Sequence, residues 1–279
     1  MDLEARLSGV YAELTPGERA IARVILDDYP YAALGSLRAL AQRAGVSPPT
    51  VSRLVARIGF ATYAELRQAI QADDRSRLRT FVAEPADLAA AARTLKQGLD
   101  GCLAAVPEPL LETVAGQLAK ARSVWALGGR LSELAAEYLV RQLASLRPGV
   151  HHVPGPAAAR ARVLLDLGAG DLLVVYDFRR YNRENALFVQ AAAARGARIA
   201  LVTDAWESPL AGRADVLVRL PREASGPIDP ITLEVAVTEL ILVTVAARLH
   251  PDGRLAELEN LTRELSGLEG IGRSGACEP

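Results

Sequence analysis

Residues 170–204, "GDLLVVYDFRRYNRENALFVQAAAARGARIALVTD", read as one repeating unit of a layered sheet. The apolar run at 172–176 has the length of a buried strand. Residues 183–195 follow with an alanine-rich helical pattern, and a second apolar run occupies 198–202. Short apolar runs separated by amphipathic helices imply parallel strands covered by helices. The alternation extends in both directions, with strands expected at 123–127, 150–153 and 215–219 and helices at 132–146, 156–166 and 231–249. Two more helical patterns lie between 88 and 121, broken at Pro107 and Pro109. The expectation is a C-terminal α/β domain with a parallel, helix-covered sheet. Ligands of such sheets bind beyond the carboxyl ends of the strands, where loops enter helix N-termini that favour anions. Two loops qualify: "GGRLS", residues 128–132, after the first strand and "DFRRYN", residues 177–182, after the third.

The chain has 279 residues, enough for two domains each with its own core. Half of them are hydrophobic and 23% are charged, the balance of a folded globular protein. The net charge of -1 hides an asymmetry. Residues 36–80 carry eight arginines (38, 43, 53, 57, 67, 75, 77, 79) against three acids (Glu65, Asp73, Asp74), a net of +5. Residues 81–279 carry 21 basic and 24 acidic groups, a net of -3. A polyanionic partner for the N-terminal segment alone fits that distribution; so does a solvated helix face. Cys102 and Cys277 are isolated, so neither a disulfide framework nor a metal-ligand spacing is expected. No basic-then-apolar leader opens the chain, and Glu239 interrupts the apolar stretch near 235–249. A membrane span is not expected, and the cytoplasm is the expected compartment. Two lysines beside thirty arginines suggest a GC-rich bacterial gene.

The basic segment has its own pattern. "SLRALAQRAG", residues 36–45, reads as a short helix capped by Ser36, with Leu37, Leu40 and Ala41 on one face. Gly45 supplies a tight turn, Ser47 a new N-cap, and Pro48 suits a first helical position. The second helix, about 48–58, places Val51, Leu54, Val55 and Ile58 inward and leaves Thr50, Ser52, Arg53 and Arg57 off that face. Close packing of two helices across a short turn needs a small residue, a turn glycine and an inner apolar residue. Ala41, Gly45 and Val51 meet those needs. The second helix would enter a DNA major groove, with Ser47, Thr50, Ser52 and Arg53 reaching base edges or phosphates and Arg57 a flanking phosphate. A helical hairpin binding protein instead is the competing reading. Downstream, "TYAE", residues 62–65, fits a capping box opening another helix, and Arg67, Arg75, Arg77 and Arg79 would attract phosphates generally.

"LTPGERAIARVILDDYP" followed by "LRALAQRAGVSPPTVSRLVARIGFATYAELRQAI" resembles the N-terminal domain of RpiR/MurR-type bacterial transcription regulators over roughly residues 1–75. The resemblance implies a helix-turn-helix that binds operator DNA as a dimer. Residues 121–221 resemble a sugar isomerase (SIS) domain, through the "GD" before the third strand, "RGARIALVTD" and "SPLAGRADVLV". In that family these loops bind phosphosugars. Ser132 matches the serine of the first helix, while Arg130 stands where a second glycine is common. The third-strand loop departs further. Asp177 and Arg179 replace two serines, Arg180 replaces a glycine and Asn182 a threonine of the family's phosphate cradle.

Three readings of that loop stay open. Arg179 or Arg180 could clamp an anion with bidentate guanidinium forks. Asp177 or Glu184 could pair internally with an arginine and fill the site. Arg179, Arg180 and Tyr181 could lie in a dimer interface. Phe178 is expected in the core. The effector site would comprise Gly128, Arg130, Ser132, Asp177, Arg179, Arg180 and Asn182. No catalytic residue is assigned: His151, His152 and His250 fit surface or strand-edge roles, and Glu133 with Glu137, the one candidate base pair, fits a solvated face. The spaced triple glycine of a dinucleotide site and a Walker lysine are missing, so no cofactor is expected.

The sequence therefore describes an N-terminal all-α helix-turn-helix domain (1–79), a linker (80–87), a SIS-like effector-binding and dimerisation domain (88–265) and a disordered tail (266–279). The expected protein is a non-enzymatic, dimeric regulator whose partners are operator DNA and a small anionic metabolite, a phosphosugar or a carboxylate. The alternatives are a sugar-phosphate isomerase with an accessory helical domain, and a regulator whose SIS-like domain only dimerises.

Overall fold

The computed structural model describes residues 3–27, 31–70, 88–178, 181–205, 207–221 and 231–266. The expected linker, Arg75, Arg77, Arg79 and all of the expected tail except Ser266 lie outside them.

The N-terminal part is all helical: α1 (Leu3–Val10), α2 (Pro16–Asp27), α3 (Tyr31–Leu34), α4 (Leu37–Arg43), α5 (Pro48–Arg57) and α6 (residues 63–70). Leu7, Ile21, Leu40, Val51, Leu54 and Leu66 are fully buried in one core shared by α1, α2, α4, α5 and α6. Burying each such side chain contributes about 1.5–3 kcal/mol, so the apolar stripe of α5 fixes its rotation against α4 and α2. The α4–α5 turn closes as its sequence requires. Gly45 takes φ 65°, its N–H reaches the Gln42 carbonyl at 3.2 Å, and the Val46 N–H reaches that of Ala41 at 3.0 Å. That pair of bonds ends a helix on a left-handed residue, where glycine lacks the Cβ penalty. Ser36 caps α4 as expected, accepting the Ala39 N–H at 3.1 Å.

Two capping details differ from expectation. Ser47 stands at the N-cap of α5 but makes no side-chain cap bond; its hydroxyl pairs with that of Thr50 at 2.9 Å. Thr62 accepts the Glu65 N–H at 3.2 Å, but Glu65 reaches back to the Ala61 N–H at 2.8 Å instead of that of Thr62.

The C-terminal part opens with α7 (Leu88–Ala104) and α8 (Glu108–Lys120). There follow β1 (Val124–Gly128), α9 (Glu133–Leu146), β2 (Val150–His152), α10 (Ala157–Asp166), β3 (Leu172–Tyr176), α11 (Arg183–Ala194), β4 (Arg198–Asp204), β5 (Val216–Leu220), α12 (Thr232–Leu249) and α13 (Asp252–Leu265). The five strands are parallel in the order β2-β1-β3-β4-β5. All five residues of β3 are buried, because its side chains alternate between two covered faces. Leu172, Val174 and Tyr176 pack with α8, α9 and α12, whereas Leu173 and Val175 pack with α11. Phe178 is buried with the first set, as expected.

β3 coincides with its sequence expectation, β1 and β5 start one residue later, and β4 runs on to Asp204. Residues 130–132 form a 3-10 turn, so α9 begins at Glu133 rather than Ser132. α13 has no counterpart among the helices expected from the sequence. At the strand starts Asp171 accepts bonds from Arg122 (2.9 and 2.5 Å) and from the Gly168 N–H (2.8 Å), tying the entry of β1 to that of β3.

Candidate functional site

α5 presents the expected polar face. Ser47, Ser52, Arg53 and Arg57 are exposed and Thr50 is half-buried. The Ser47 hydroxyl pairs with that of Thr50, which also accepts a bond from Arg53 Nη2 at 3.2 Å. The three side chains therefore line one face at the N-terminal half of the helix, where a groove-reading helix meets base edges. Arg57 has a further task. Its Nε lies 3.5 Å from Glu18 Oε1 and its Nη1 3.9 Å from Glu13 Oε2, which joins the end of α5 to α2. Burial would raise the Glu18 carboxyl, but bonds from the Thr15 N–H and hydroxyl, with Arg57 nearby, outweigh it and hold it below the ordinary range. "TPGE", residues 15–18, is a capping-box pattern that could have revealed this anchor.

The sheet supplies the second site. Its strand order changes direction between β1 and β3, since β2 lies on the far side of β1. Such a switch point opens a crevice at the carboxyl ends of the two strands. Gly128, Ser132, Asp177 and Asn182 converge there. Ser132 is buried; its hydroxyl donates to Gly129 O at 2.6 Å and lies 3.2 Å from Tyr176 O, stapling the β1 loop to the end of β3. Asn182 caps α11, accepting the N–H groups of Glu184 (2.8 Å) and Asn185 (3.2 Å). Asp177 is buried and accepts the Ser208 hydroxyl at 2.5 Å. Arg130 stands exposed on the rim with φ 46°. Arg179 and Arg180 lie outside the described residues. The Tyr181 hydroxyl turns inward to Asp204 Oδ1 at 3.1 Å.

Four crevice residues were absent from the expected site. Glu133 Oε2 accepts the Gly128 N–H at 2.6 Å, and its Oε1 lies 3.0 Å from His152 Nε2. Asn185 Nδ2 donates to Gly128 O at 2.6 Å, and Ser208 holds Asp177. Glu137, paired with Glu133 in the sequence reading, instead pairs with Arg141 at 3.5 Å. Residue spacing does not announce the Asn185–Gly128, Ser208–Asp177 and Glu133–His152 contacts, because each joins residues 19 to 57 apart in the chain.

Comparison with known proteins bears on both sites. The model "Helix-turn-helix domain, rpiR family" matches residues 1–77, and the SIS domain model matches residues 117–246. The chain is an RpiR-type protein, with an RpiR-family helix-turn-helix domain followed by a SIS domain. Over part of its length the chain is similar in fold to the sugar isomerase domain of an RpiR transcription factor from Sphaerobacter thermophilus. That likeness has 24% identity and a TM-score of 0.59, over 64% of this chain and 99% of that one. The NanR protein of Vibrio vulnificus, complexed with ManNAc-6P, is similar over 95% of this chain and 99% of its own, with 16% identity and a TM-score of 0.60. A comparison with curated proteins finds no match. No helix among the described residues is long and apolar enough to cross a membrane.

Proposed function

We propose that this RpiR-type protein is a cytoplasmic bacterial transcription regulator that binds operator DNA through α5 and responds to a small anionic metabolite, a phosphosugar or a carboxylate. The observation that carries the reading is the polar face of α5, with Ser47, Thr50 and Arg53 linked in a row on a helix held rigidly by Val51, Leu54 and Val55. Arg53 reads a base, and Arg57 is divided between a flanking phosphate and its anchor to α2. Arg53→Ala is expected to weaken specific operator binding by about 1–3 kcal/mol. Titration of both proteins onto the same duplex in matched salt measures it, and equal affinities would remove Arg53 from the reading.

The crevice between β1 and β3 is the proposed effector site, formed by Gly128, Arg130, Ser132, Asp177, Arg179, Arg180 and Asn182. A ManNAc-6P complex of the similarly folded NanR supports the phosphosugar arm of the proposal. Within this division of labour residues 1–79 bind DNA, residues 80–87 connect, and residues 88–265 sense and dimerise. Turnover is not part of it: the RpiR-family helix-turn-helix domain ahead of the SIS domain supports a regulator rather than an isomerase.

Dimerisation draws support from α13. None of its residues is buried although it rests on α9, and a helix of about fourteen residues is marginal in water without such packing. Leu255, Leu258, Leu261 and Leu265 share one side of it and are 41–89% exposed. Leu255 and Leu258 fit the a and d positions of a heptad, while within the chain Arg254 donates to the Ala144 carbonyl at 2.8 Å and Glu259 pairs with Arg263 at 2.6 Å. A second copy of this chain supplies the matching leucines. Effector binding would then favour one arrangement of the dimer and so change the spacing of two α5 helices on DNA.

A further inference from the structure

Side chains grip both backbone polar groups of Gly128. Glu133 takes its N–H at 2.6 Å, and Asn185 donates to its carbonyl at 2.6 Å. Glu133 begins α9, a helix of fourteen residues whose N-terminus carries partial positive charge. Its second oxygen lies 3.0 Å from His152 Nε2. A carboxylate of the protein itself thus occupies the point where a strand-end amide, a helix N-terminus and an imidazole converge.

A second, independent feature lies beside it. Asn185 is 1% exposed, and its Oδ1 has no hydrogen-bond partner among the described residues. A buried amide oxygen left in that state is costly, and with Nδ2 committed to Gly128 the oxygen can only accept. Asn185 Nδ2 lies 3.8 Å from where a Cβ on Gly129 would stand, which places the side chain against the crevice loop. The group that would satisfy Oδ1 is a hydroxyl or an N–H.

We propose that the crevice is a self-occupied site for a hydroxylated anion, in which Glu133 stands in for the ligand's anionic group. The ligand displaces Glu133 from the Gly128 amide and donates a hydroxyl to Asn185 Oδ1. The proposal rests on reading the crevice as the effector site, and it makes Glu133 the gate of that site. Apparent affinity is the intrinsic affinity scaled by the fraction of molecules in which Glu133 has swung aside. Because α9 packs on β1, β2, α12 and α13, the helix that Glu133 begins reaches the leucine-bearing helix near its other end, at Ala144.

Calorimetric titration of the full chain tests this, with wild type, Glu133→Ala and Glu133→Gln each offered inorganic phosphate, glucose 6-phosphate, gluconate and glucose. Glu133→Ala is expected to bind the anionic probes about tenfold or more tighter than wild type. Glu133→Gln, which keeps an acceptor for the Gly128 N–H and so protects the fold, is expected to lie between. Whether glucose 6-phosphate or gluconate gains more identifies the anion as phosphate or carboxylate. Asn185→Ala is expected to erase the advantage of glucose 6-phosphate over inorganic phosphate. Unchanged anion affinity in Glu133→Ala, or no binding of any anion to it, would overturn the proposal. Operator DNA titrated in parallel separates the two readings: failure of wild type to bind DNA would sink the regulator and leave the anion comparison standing.

Discussion

Gly128→Ala is expected to destabilise the sheet domain by about 3 kcal/mol, read as a lower urea midpoint at unchanged slope. A Cβ on Gly128 would stand 2.5 Å from the Glu133 nitrogen and the Ser132 carbonyl carbon, and closer still to the Ser132 oxygen. All three are backbone atoms of the turn entering α9, so no side-chain rotation relieves the overlap. Either α9 moves off the strand end or the strand end bends, and in both cases the Gly128–Glu133 and Ser132–Tyr176 bonds are lost. The adjacent glycine provides the contrast. Among the described residues a Cβ on Gly129 meets nothing nearer than 3.7 Å at φ -115°, so Gly129→Ala is expected to be tolerated. Equal effects at the two positions would mean that the close approach of α9 is not what Gly128 serves.

Arg147→Met is expected to cost about 3 kcal/mol of stability, because it removes several bonds from a charged donor in a buried setting. Arg147 is 9% exposed, and its guanidinium donates to backbone carbonyls at the end of α8: Leu118, Ala121 (2.6 Å) and Arg122 (3.2 Å). It also holds the Pro148 carbonyl at 3.0 Å. Burial lowers its pKa, and the carbonyls at a helix C-terminus offset that cost with partial negative charge. Methionine keeps the stem's packing and leaves those carbonyls without their donor. Lysine keeps the charge with fewer donors, so Arg147→Lys is expected to lose less. Thermal melts of the three proteins order them wild type, lysine, methionine; a methionine variant as stable as wild type would show that water serves the carbonyls equally well.

Both predictions mark where sequence reading stops. The strands were legible because apolar runs such as 172–176 have the length and composition of buried β, and the α4–α5 turn was legible because Gly45 and Pro48 each answer a local backbone demand. Gly128 was visible as a glycine at a strand-to-helix turn, but many such turns carry one for φ alone. Its actual constraint is the approach of a backbone four residues on, which only the packed structure reveals. Arg147 gave no signal, since apart from Pro148 its partners are carbonyls 25 to 29 residues away. At the candidate site the family frame points to Ser132, Asp177 and Asn182 as expected ligand residues, whereas Glu133 and Asn185 act on the backbone of Gly128 and have no motif. α13 passed unread because its leucines join no core cluster among the described residues.

The central claim is a dimeric DNA-binding regulator. Hydroxyl-radical footprinting of the full-length protein on the DNA upstream of its own gene tests it most directly. Two protected half-sites, arranged as an inverted repeat and centred whole helical turns apart (about 10 base pairs or a multiple), are predicted. A single asymmetric half-site, or no protection at salt concentrations where counterion release still favours binding, would contradict it.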